Sequence, residues 1–256
     1  MKKAIIVIIA FMAILSMGTT SCKKDKNSTT ATGKFYLHLH TNVDTNEVDD
    51  YGTVYTTSTG RKISVDIAQM YISHIQLIRT DGTIYSVPDT VLLKKMEQEA
   101  YYVGDVPVAS YKAVQFYVGL DASAYTAGST NPAFGDNSMW FGSTAQATGF
   151  KFINFQGKID TTTAANGPEA QMQSFMYEIG TSAHLVTITM PDHSPTFDVN
   201  ATSATYAHII IDYAKLMDGI KINNSSNLMV MSLTDNSGAL ADSIAARIPS
   251  MFTYEE

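Results

Sequence analysis

Apolar and polar residues alternate with a period of two in many short runs of this chain, and this alternation limits the fold more than any other feature. In the run from 112 to 120, Val114, Phe116, Val118 and Leu120 occupy every second position. A period of two is typical of a β-strand with one face buried and the other exposed. Such runs recur between turns rich in glycine and proline. The sequence therefore predicts one all-β domain, an antiparallel β-sandwich of the immunoglobulin-like kind.

A helical pattern occurs near the C-terminus, over Asn236–Ile248. Leu240, Ile244 and Ile248 recur at helical spacing and form an apolar stripe, and Pro249 follows them. We therefore expect a short C-terminal helix that packs against one end of the β body.

The N-terminus has the pattern of a bacterial export signal. Met1–Lys3 is basic, and Ala4–Met17 is an apolar run of about 14 residues, shorter than the roughly 20 that a membrane-spanning helix needs. Cys22 follows the small residue Ser21 and is the only cysteine of the chain, so a disulfide within the protein is excluded. The pattern predicts a lipoprotein signal peptide over residues 1–21 and lipidation of Cys22. The alternative is an ordinary signal peptide that leaves a free cysteine.

The segment that follows Cys22 is polar. The sequence KKDKNSTTAT cannot pack into a core, so residues 22–32 are predicted to form a flexible tether between the lipid and one domain over residues 33–256. A lipid-anchored chain with an export signal is expected in the cell envelope. We expect it on a bacterial membrane, with the outer membrane favoured, and facing the periplasm or the cell surface.

The charge of the chain and the motifs it lacks argue against several classes of function. The formal net charge is −7, which disfavours nucleic acid as a partner. The sequence contains no Walker loop, no G-x-G-x-x-G run and no cysteine pair for zinc. Its carboxylates are scattered without a recognisable pair. We therefore do not expect an enzyme, for example one that acts on glycans or peptides.

Two histidines form the best candidate for a metal site. His38 and His40 lie two positions apart within the alternating run 34–40, so both side chains project from one face of a strand, roughly 7 Å apart at about 3.3 Å per residue. That spacing allows both imidazoles to bind one ion, and histidine is the commonest metal ligand. The alternative is a pair of histidines that face solvent or bond to neighbouring strands. His208, the only basic group of the strand predicted at 206–213, is expected to be structural.

The only tryptophan, Trp140, follows a loop of roughly 17 residues over Ala122–Ser138. Its side chain is expected either to pack in the protein, as a single large aromatic usually does, or to lie beside a functional site. The acidic segment Thr41–Asp50 contains Glu47 and three aspartates, but it lacks the spacing of an EF-hand loop. We expect it to form a solvated turn.

Four segments, taken in order, resemble the MbnP-like family, which is named for a periplasmic copper-binding protein associated with methanobactin loci. They are YISHIQLIRTDG (Tyr71–Gly82), VGDVPVASYKAVQFYVGLD (Val103–Asp121), MWFG with TGFKFINFQG (Met139–Gly157) and FMYEIG (Phe175–Gly180). Their order and spacing carry the resemblance, which runs from about Lys34 to about Tyr213.

The resemblance implies a membrane-anchored, non-catalytic protein that binds copper. In the family, histidines on nearby strands and a tryptophan form the copper site, and a partner haem peroxidase oxidises the tryptophan. For this chain the resemblance implies His38 and His40 as nitrogen ligands, Trp140 as a redox-sensitive neighbour and a di-haem peroxidase as a partner. Relatives often carry a histidine at the position of Glu178, where a carboxylate is a poorer ligand for copper. The alternative is a structural or adhesion lipoprotein that kept the fold and lost the metal.

Overall fold

The computed structural model describes residues 30–125, 129–143 and 149–255. The predicted signal peptide, Cys22 and most of the predicted tether lie outside these residues. From Ala31 onward the chain forms one compact unit. No helix within the described residues is long and apolar enough to cross a membrane.

The described residues form fifteen β-strands and one short α-helix, joined by turns that include several of 3-10 type. The strands are β1 (Thr32–Val43), β2 (Asn46–Glu47), β3 (Val54–Thr56), β4 (Lys62–Arg79), β5 (Ile84–Ser86), β6 (Val91–Lys94), β7 (Ala100–Pro107), β8 (Ala109–Val118), β9 (Lys151–Ile159), β10 (Gln173–Gly180), β11 (Val186–Thr189), β12 (Phe197–Val199), β13 (Thr205–Asp212), β14 (Met229–Val230) and β15 (Phe252–Tyr254). The helix is α1 (Ala239–Ala245), and the 3-10 turns are Pro132–Gly135, Asn137–Met139, Glu169–Gln171, Ser182–His184, Tyr213–Met217, Ser225–Asn227, Asp235–Ser237 and Ile248–Met251.

The first sheet has five strands and is built around β1. Strand β13 pairs in parallel with one edge of β1. Along the other edge, β7 pairs with the first part of β1 and β2 pairs with its end, and both pairings are antiparallel. Strand β15 pairs with the far side of β13. Along β1, Leu37 and Leu39 are fully buried, whereas Tyr36, His38 and His40 alternate with them and face outward. The period of two in the sequence therefore sets which side chains reach the outer face.

The second sheet has ten strands and is built around β4, which pairs with β3, β5, β6, β8 and β9. Strand β4 is 18 residues long, and its pairing with β8 shifts register between Ser73 and Gln76. At this shift His74 has a left-handed backbone, with φ of 50°. Irregularities of this kind bend a strand and increase its twist, and this sheet curls.

The main core lies between the two sheets. Leu37 and Leu39 of the first sheet and Val114 and Phe116 of the second belong to one cluster of fully buried side chains. A smaller group of buried side chains lies beneath the loop that contains Trp140. This group, here called the second apolar cluster, comprises Tyr71, Leu93, Leu120, Ala133, Phe134, Met139 and Phe152.

The prediction of a mostly β protein with a short C-terminal helix is confirmed, but an immunoglobulin-like sandwich is not. The second sheet curls, and two strand pairs, β1 with β13 and β10 with β14, are parallel. A tight turn can only join antiparallel strands. These parallel partners are far apart in sequence, so no hairpin dictates their direction.

The C-terminal helix is shorter than the pattern over Asn236–Ile248 predicts, because α1 begins only after Gly238. Asn236 does not cap it. The Asn236 amide instead donates to the carbonyl of Glu178 at 2.8 Å and accepts from the backbone N–H of Gly180 at 2.8 Å. Two hydrogen bonds to the backbone of β10 therefore hold this residue in a turn before the helix.

Candidate metal centre

Three histidines from two neighbouring strands meet on the outer face of the first sheet. His38 and His40 lie on β1, and His208 lies on β13 as the register partner of His38. One ring nitrogen of each histidine lies within 4.8 Å of the other two. The ring centroids are 4.5 Å apart for His38 and His40 and 4.6 Å apart for His38 and His208. Three of the six histidines of the chain therefore form one group, here called the histidine cluster.

The pattern of β13 explains why His208 joins the cluster. Ala207 and Ile209 are fully buried, so His208 between them faces outward. Neighbouring strands lie about 4.8 Å apart, and paired residues share a face. The in-register pairing of β1 with β13 therefore places the imidazoles of His208 and His38 side by side.

Two carboxylates hold the imidazoles of β1. Glu47 Oε1 lies 2.7 Å from His40 Nδ1, and Glu99 Oε2 lies 3.3 Å from His38 Nε2. The remaining nitrogens, His38 Nδ1 and His40 Nε2, face each other at 2.9 Å. A carboxylate on the far nitrogen is the usual support of a metal-binding histidine, because it fixes the tautomer and makes the ligating nitrogen more basic.

The third carboxylate, Glu255, comes from the end of the chain. Its Oε2 atom lies 3.2 Å from both His40 Nε2 and His208 Nδ1. The backbone N–H of Glu255 also donates to the carbonyl of His208 at 3.2 Å. Among the ion pairs of the described residues, Glu47, Glu99 and Glu255 pair only with histidines. Three carboxylates thus surround three imidazoles, and no lysine or arginine forms an ion pair with them there.

The cluster is half-buried, and its electrostatics favour a neutral imidazole at His38. The side chains of His40 and His38 are 13% and 22% exposed, and that of His208 is 47% exposed. Burial lowers the pKa of His38, and the neighbouring imidazoles of His40 and His208 lower it further, whereas Glu99 and Glu255 act in the opposite direction. A neutral imidazole is the form that binds a metal ion.

The geometry of the cluster fits a metal ion with nitrogen ligands. A typical metal–nitrogen bond is 2.0–2.1 Å long, so two nitrogens on one ion are at most about 4.2 Å apart. Three nitrogens on one ion, at tetrahedral or trigonal angles, lie about 3.3–3.6 Å apart. The three nitrogens here lie within 4.8 Å of one another, so these separations need to change by no more than about 1.5 Å. Imidazole suits copper, zinc, iron and nickel.

Trp140 lies in a different part of the molecule. Its indole N–H donates to the carbonyl of Phe134 at 3.2 Å, and its backbone forms an isolated bridge with Phe150. The half-buried ring packs against the second apolar cluster. Within the described part of the chain, none of the contacts of Trp140 involves the histidine cluster.

Glu178 is also placed away from the histidines, on β10 of the second sheet. Its carboxylate accepts a hydrogen bond from Lys151 Nζ at 2.7 Å and another from Gln156 Nε2 at 3.2 Å. The side chains of Lys151 and Glu178 are each only 10% exposed. Glu178 therefore forms a buried ion pair in the fold.

The other three histidines lie outside the cluster. His74 Nε2 lies 3.0 Å from Asp121 Oδ2. Burial raises the pKa of Asp121, but hydrogen bonds from His74 and Ser123 outweigh burial and hold that pKa at about 2. His184 is buried, with Nδ1 lying 2.8 Å from the carbonyl of Gly180. His193 Nδ1 lies 2.5 Å from the carbonyl of Pro195. Within the described residues, none of the hydrogen bonds, ion pairs or ring contacts of these three histidines involves another histidine.

Sequence reasoning found two members of this site and missed the others. His208 was expected to be structural, and Glu47 was expected in a solvated turn. The alternation in β13 does indicate that His208 faces outward, but no local signal indicates that β13 pairs with β1. Glu99 and Glu255 likewise reach the cluster only through the pairing of β7 and β15 in the same sheet.

Comparison with known proteins bears on the whole of this unit. A family model described as MbnP matches residues 32–232. The solved structure of MbnP from Methylosinus trichosporium is similar, with a TM-score of 0.52 and 12% sequence identity, over 87% of this chain and 98% of that chain. At this identity the likeness concerns the fold. A comparison with curated proteins found no match.

Proposed function

Because the chain belongs to the MbnP family, we propose that it is a non-catalytic copper-binding protein of the bacterial cell envelope. The proposed ligands are His38, His40 and His208, which supply three imidazole nitrogens from two adjacent strands. The single observation that carries the proposal is the convergence of these nitrogens within 4.8 Å on the outer face of the first sheet.

The surroundings of the cluster support a bound cation. Glu47, Glu99 and Glu255 orient the rings and place negative charge around them. This charge offsets part of the cost of holding a metal ion away from bulk water. Copper(II) binds nitrogen ligands more tightly than the other common divalent metals, and the family membership favours copper over zinc.

Trp140 and Glu178 are left out of the proposed ligand set. The family resemblance implies that Trp140 is a redox-sensitive neighbour of the metal and that Glu178 is a weak ligand. In this chain Trp140 packs against the second apolar cluster, and Glu178 is neutralised by Lys151. We propose instead that His208 supplies the third ligand.

The proposal includes an anchor and a location. Lipidation of Cys22 would hold the protein to a bacterial membrane, the outer membrane by preference, with the domain in the periplasm or at the surface. A di-haem peroxidase remains the expected partner on the basis of the family. Neither expectation depends on the geometry of the histidine cluster.

Titration of the purified protein with Cu(I), Cu(II) and Zn(II) tests the proposal. We expect tight binding of one copper ion, lost in a His38→Ala/His40→Ala variant and strongly weakened in His208→Ala. His74→Ala is the matched control, because His74 also contacts a carboxylate but has no histidine neighbour among the described residues. This variant should bind copper as the unaltered protein does.

Two results would contradict the proposal. One is copper binding that survives loss of both His38 and His40, which would place the metal elsewhere. The other is no binding tighter than that of a general acidic surface. That result would favour the alternative, a structural or adhesion lipoprotein that kept the fold without the metal.

A further inference from the structure

Three tyrosine rings lie in contact in a row on the outer face of the first sheet, directly beside the histidine cluster. Tyr36 on β1 is the register partner of Tyr206 on β13 and of Tyr102 on β7. The ring centroids of Tyr36 and Tyr206 are 5.0 Å apart, and those of Tyr36 and Tyr102 are 5.3 Å apart. These three residues are called the tyrosine row.

The tyrosine row connects to the histidine cluster through Tyr206. The centroid of Tyr206 lies 6.5 Å from that of His38 and 6.2 Å from that of His208. All four separations fall within the 4.5–7 Å range of aromatic contact. An unbroken series of aromatic rings therefore leads from the proposed metal ligands to Tyr102.

An irregularity in the pairing of β1 with β7 puts Tyr102 at the end of this series. Phe35 is opposite Gly104, whereas Tyr36 is opposite Tyr102, so the register skips Val103. Val103 is buried, and Tyr102 is 47% exposed. The shift therefore brings an exposed phenol into line with the other two rings.

Tyr102 has a proton acceptor of its own. Its hydroxyl donates to Asp105 Oδ1 at 2.8 Å, within the reach needed for direct proton transfer. The hydrogen bond to Asp105 raises the pKa of Tyr102, so the phenol is protonated at neutral pH. Loss of an electron from Tyr102 therefore requires loss of the proton, and Asp105 is placed to take it.

A cavity gives small molecules access to the other end of the row. It has a volume of about 390 Å³, and its lining includes Tyr206, His208 and Glu255. An oxidant that enters this cavity lies next to a proposed metal ligand and next to the first tyrosine of the row.

We propose that the tyrosine row supplies an electron to the copper site when hydrogen peroxide reacts there, and that Tyr102 is the residue finally oxidised. This inference rests on the proposed copper-binding function. Peroxide takes up two electrons and two protons and becomes two water molecules. One electron comes from Cu(I), which becomes Cu(II), and the other comes from Tyr206.

Tyr36 then transfers an electron to oxidised Tyr206, and Tyr102 transfers an electron to oxidised Tyr36. The phenol proton of Tyr102 passes to Asp105 and on to solvent. Solvent supplies both protons that peroxide takes up, so one proton is consumed overall. Because Tyr102 is exposed, its radicals on two molecules meet and form a carbon–carbon bond between the rings. The hydrogens at the joined carbons move to the phenolic oxygens, which gives a dityrosine cross-link.

The test uses purified protein loaded with Cu(I), without oxygen, and one equivalent of hydrogen peroxide. Three measurements are made: copper affinity by competition titration, the tyrosyl radical by electron paramagnetic resonance in frozen samples, and the cross-linked residue by peptide mass mapping. The variants are Tyr102→Phe, Tyr36→Phe and Tyr206→Phe.

Tyr51→Phe is the matched control. Tyr51 is 43% exposed, and its hydroxyl donates to Glu97 Oε2 at 2.8 Å, but it lies outside the tyrosine row. Its exposure and its carboxylate partner therefore resemble those of Tyr102, but its ring has no described contact with the tyrosine row or the histidine cluster.

We expect a cross-link at Tyr102 in the unaltered protein and in Tyr51→Phe, and none at that position in Tyr102→Phe. Tyr36→Phe and Tyr206→Phe should retain copper affinity but lower the yield at Tyr102 by at least about tenfold, because phenylalanine is far harder to oxidise. Two results, obtained with copper binding intact, would overturn the proposed electron path. One is cross-linking of Tyr51 as often as Tyr102, and the other is an unchanged yield of cross-linked Tyr102 in Tyr36→Phe and Tyr206→Phe. A protein that binds no copper in the titration overturns the proposed function and the path together.

Discussion

Replacing Glu178 with alanine should separate the stability of the fold from the proposed metal site. The side chains of Glu178 and Lys151 are each 10% exposed and lie 2.7 Å apart. Lys151 Nζ also donates to the carbonyl of Ser138 at 2.9 Å, which ties the loop before Trp140 to the second sheet. Glu178→Ala leaves the Lys151 ammonium buried with a carbonyl as its remaining described partner.

The expected cost follows from this burial. Removing one member of a buried ion pair typically costs about 3–5 kcal/mol, because the other charge is left uncompensated. A domain of this size loses about 2–4 °C of melting temperature per kcal/mol, so Glu178→Ala should melt roughly 6–20 °C lower. Copper affinity should not change, because no contact joins Glu178 to the histidine cluster within the described residues.

Chemical and thermal unfolding measure this cost, and two further variants check its cause. Lys151→Met/Glu178→Leu removes both charges and should be far more stable than Glu178→Ala, since apolar replacements of buried pairs are often neutral. Asp192→Ala breaks the exposed pair with Lys112, whose atoms lie 2.9 Å apart, and should cost no more than about 1 kcal/mol. The reasoning is refuted if Glu178→Ala costs as little as Asp192→Ala, or if copper affinity falls with stability.

Three further outcomes are expected. Glu255→Gln should weaken copper binding by about 10–100-fold, the usual loss when a partner of a ligand is removed. The Glu255 carboxylate lies 3.2 Å from His208 Nδ1 and places negative charge beside His40 Nε2. Unchanged affinity in titration would contradict this role. The pKa of His38 is lowered from its ordinary value of 6.5, so the unfolded chain binds more protons than the folded protein as the pH falls below 6.5. The metal-free protein should therefore lose stability as the pH falls below 6.5. His38→Gln should make the stability depend less on pH in unfolding measurements, and an equal dependence in both proteins would argue against this role of His38. Trp140→Phe should leave copper affinity unchanged in the same titration, and a large loss would place the indole at the metal.

The part of the fold that depends on local pattern could be predicted from the sequence. The alternation in β1 correctly places Leu37 and Leu39 in the core and His38 and His40 on the outer face. Burying the apolar face of a strand stabilises the fold whichever strands lie beside it. The face on which each side chain lies can therefore be predicted without knowing the neighbouring strands. The C-terminal helix follows a local pattern in the same way.

The membership of the site depends on pairings that the local pattern does not encode. His38 and His208 become neighbours through the parallel pairing of β1 with β13, and these strands are separated by most of the chain. Glu178 shows the converse. The family motif implies a weak metal ligand at this position, but Lys151 on the neighbouring strand β9 donates a hydrogen bond to the Glu178 carboxylate.

One strand arrangement produces both the histidine cluster and the tyrosine row. On β1, Tyr36 and His38 are two residues apart, and their partners on β13, Tyr206 and His208, have the same spacing. A slip of one residue in this pairing would turn the partner side chains to the opposite face, so both features are tied to the register that buries the core. Ligands on paired strands are held more exactly than ligands on loops, and less ordering is then needed when an ion binds. A site of this kind suits tight, lasting retention of a metal ion better than rapid exchange.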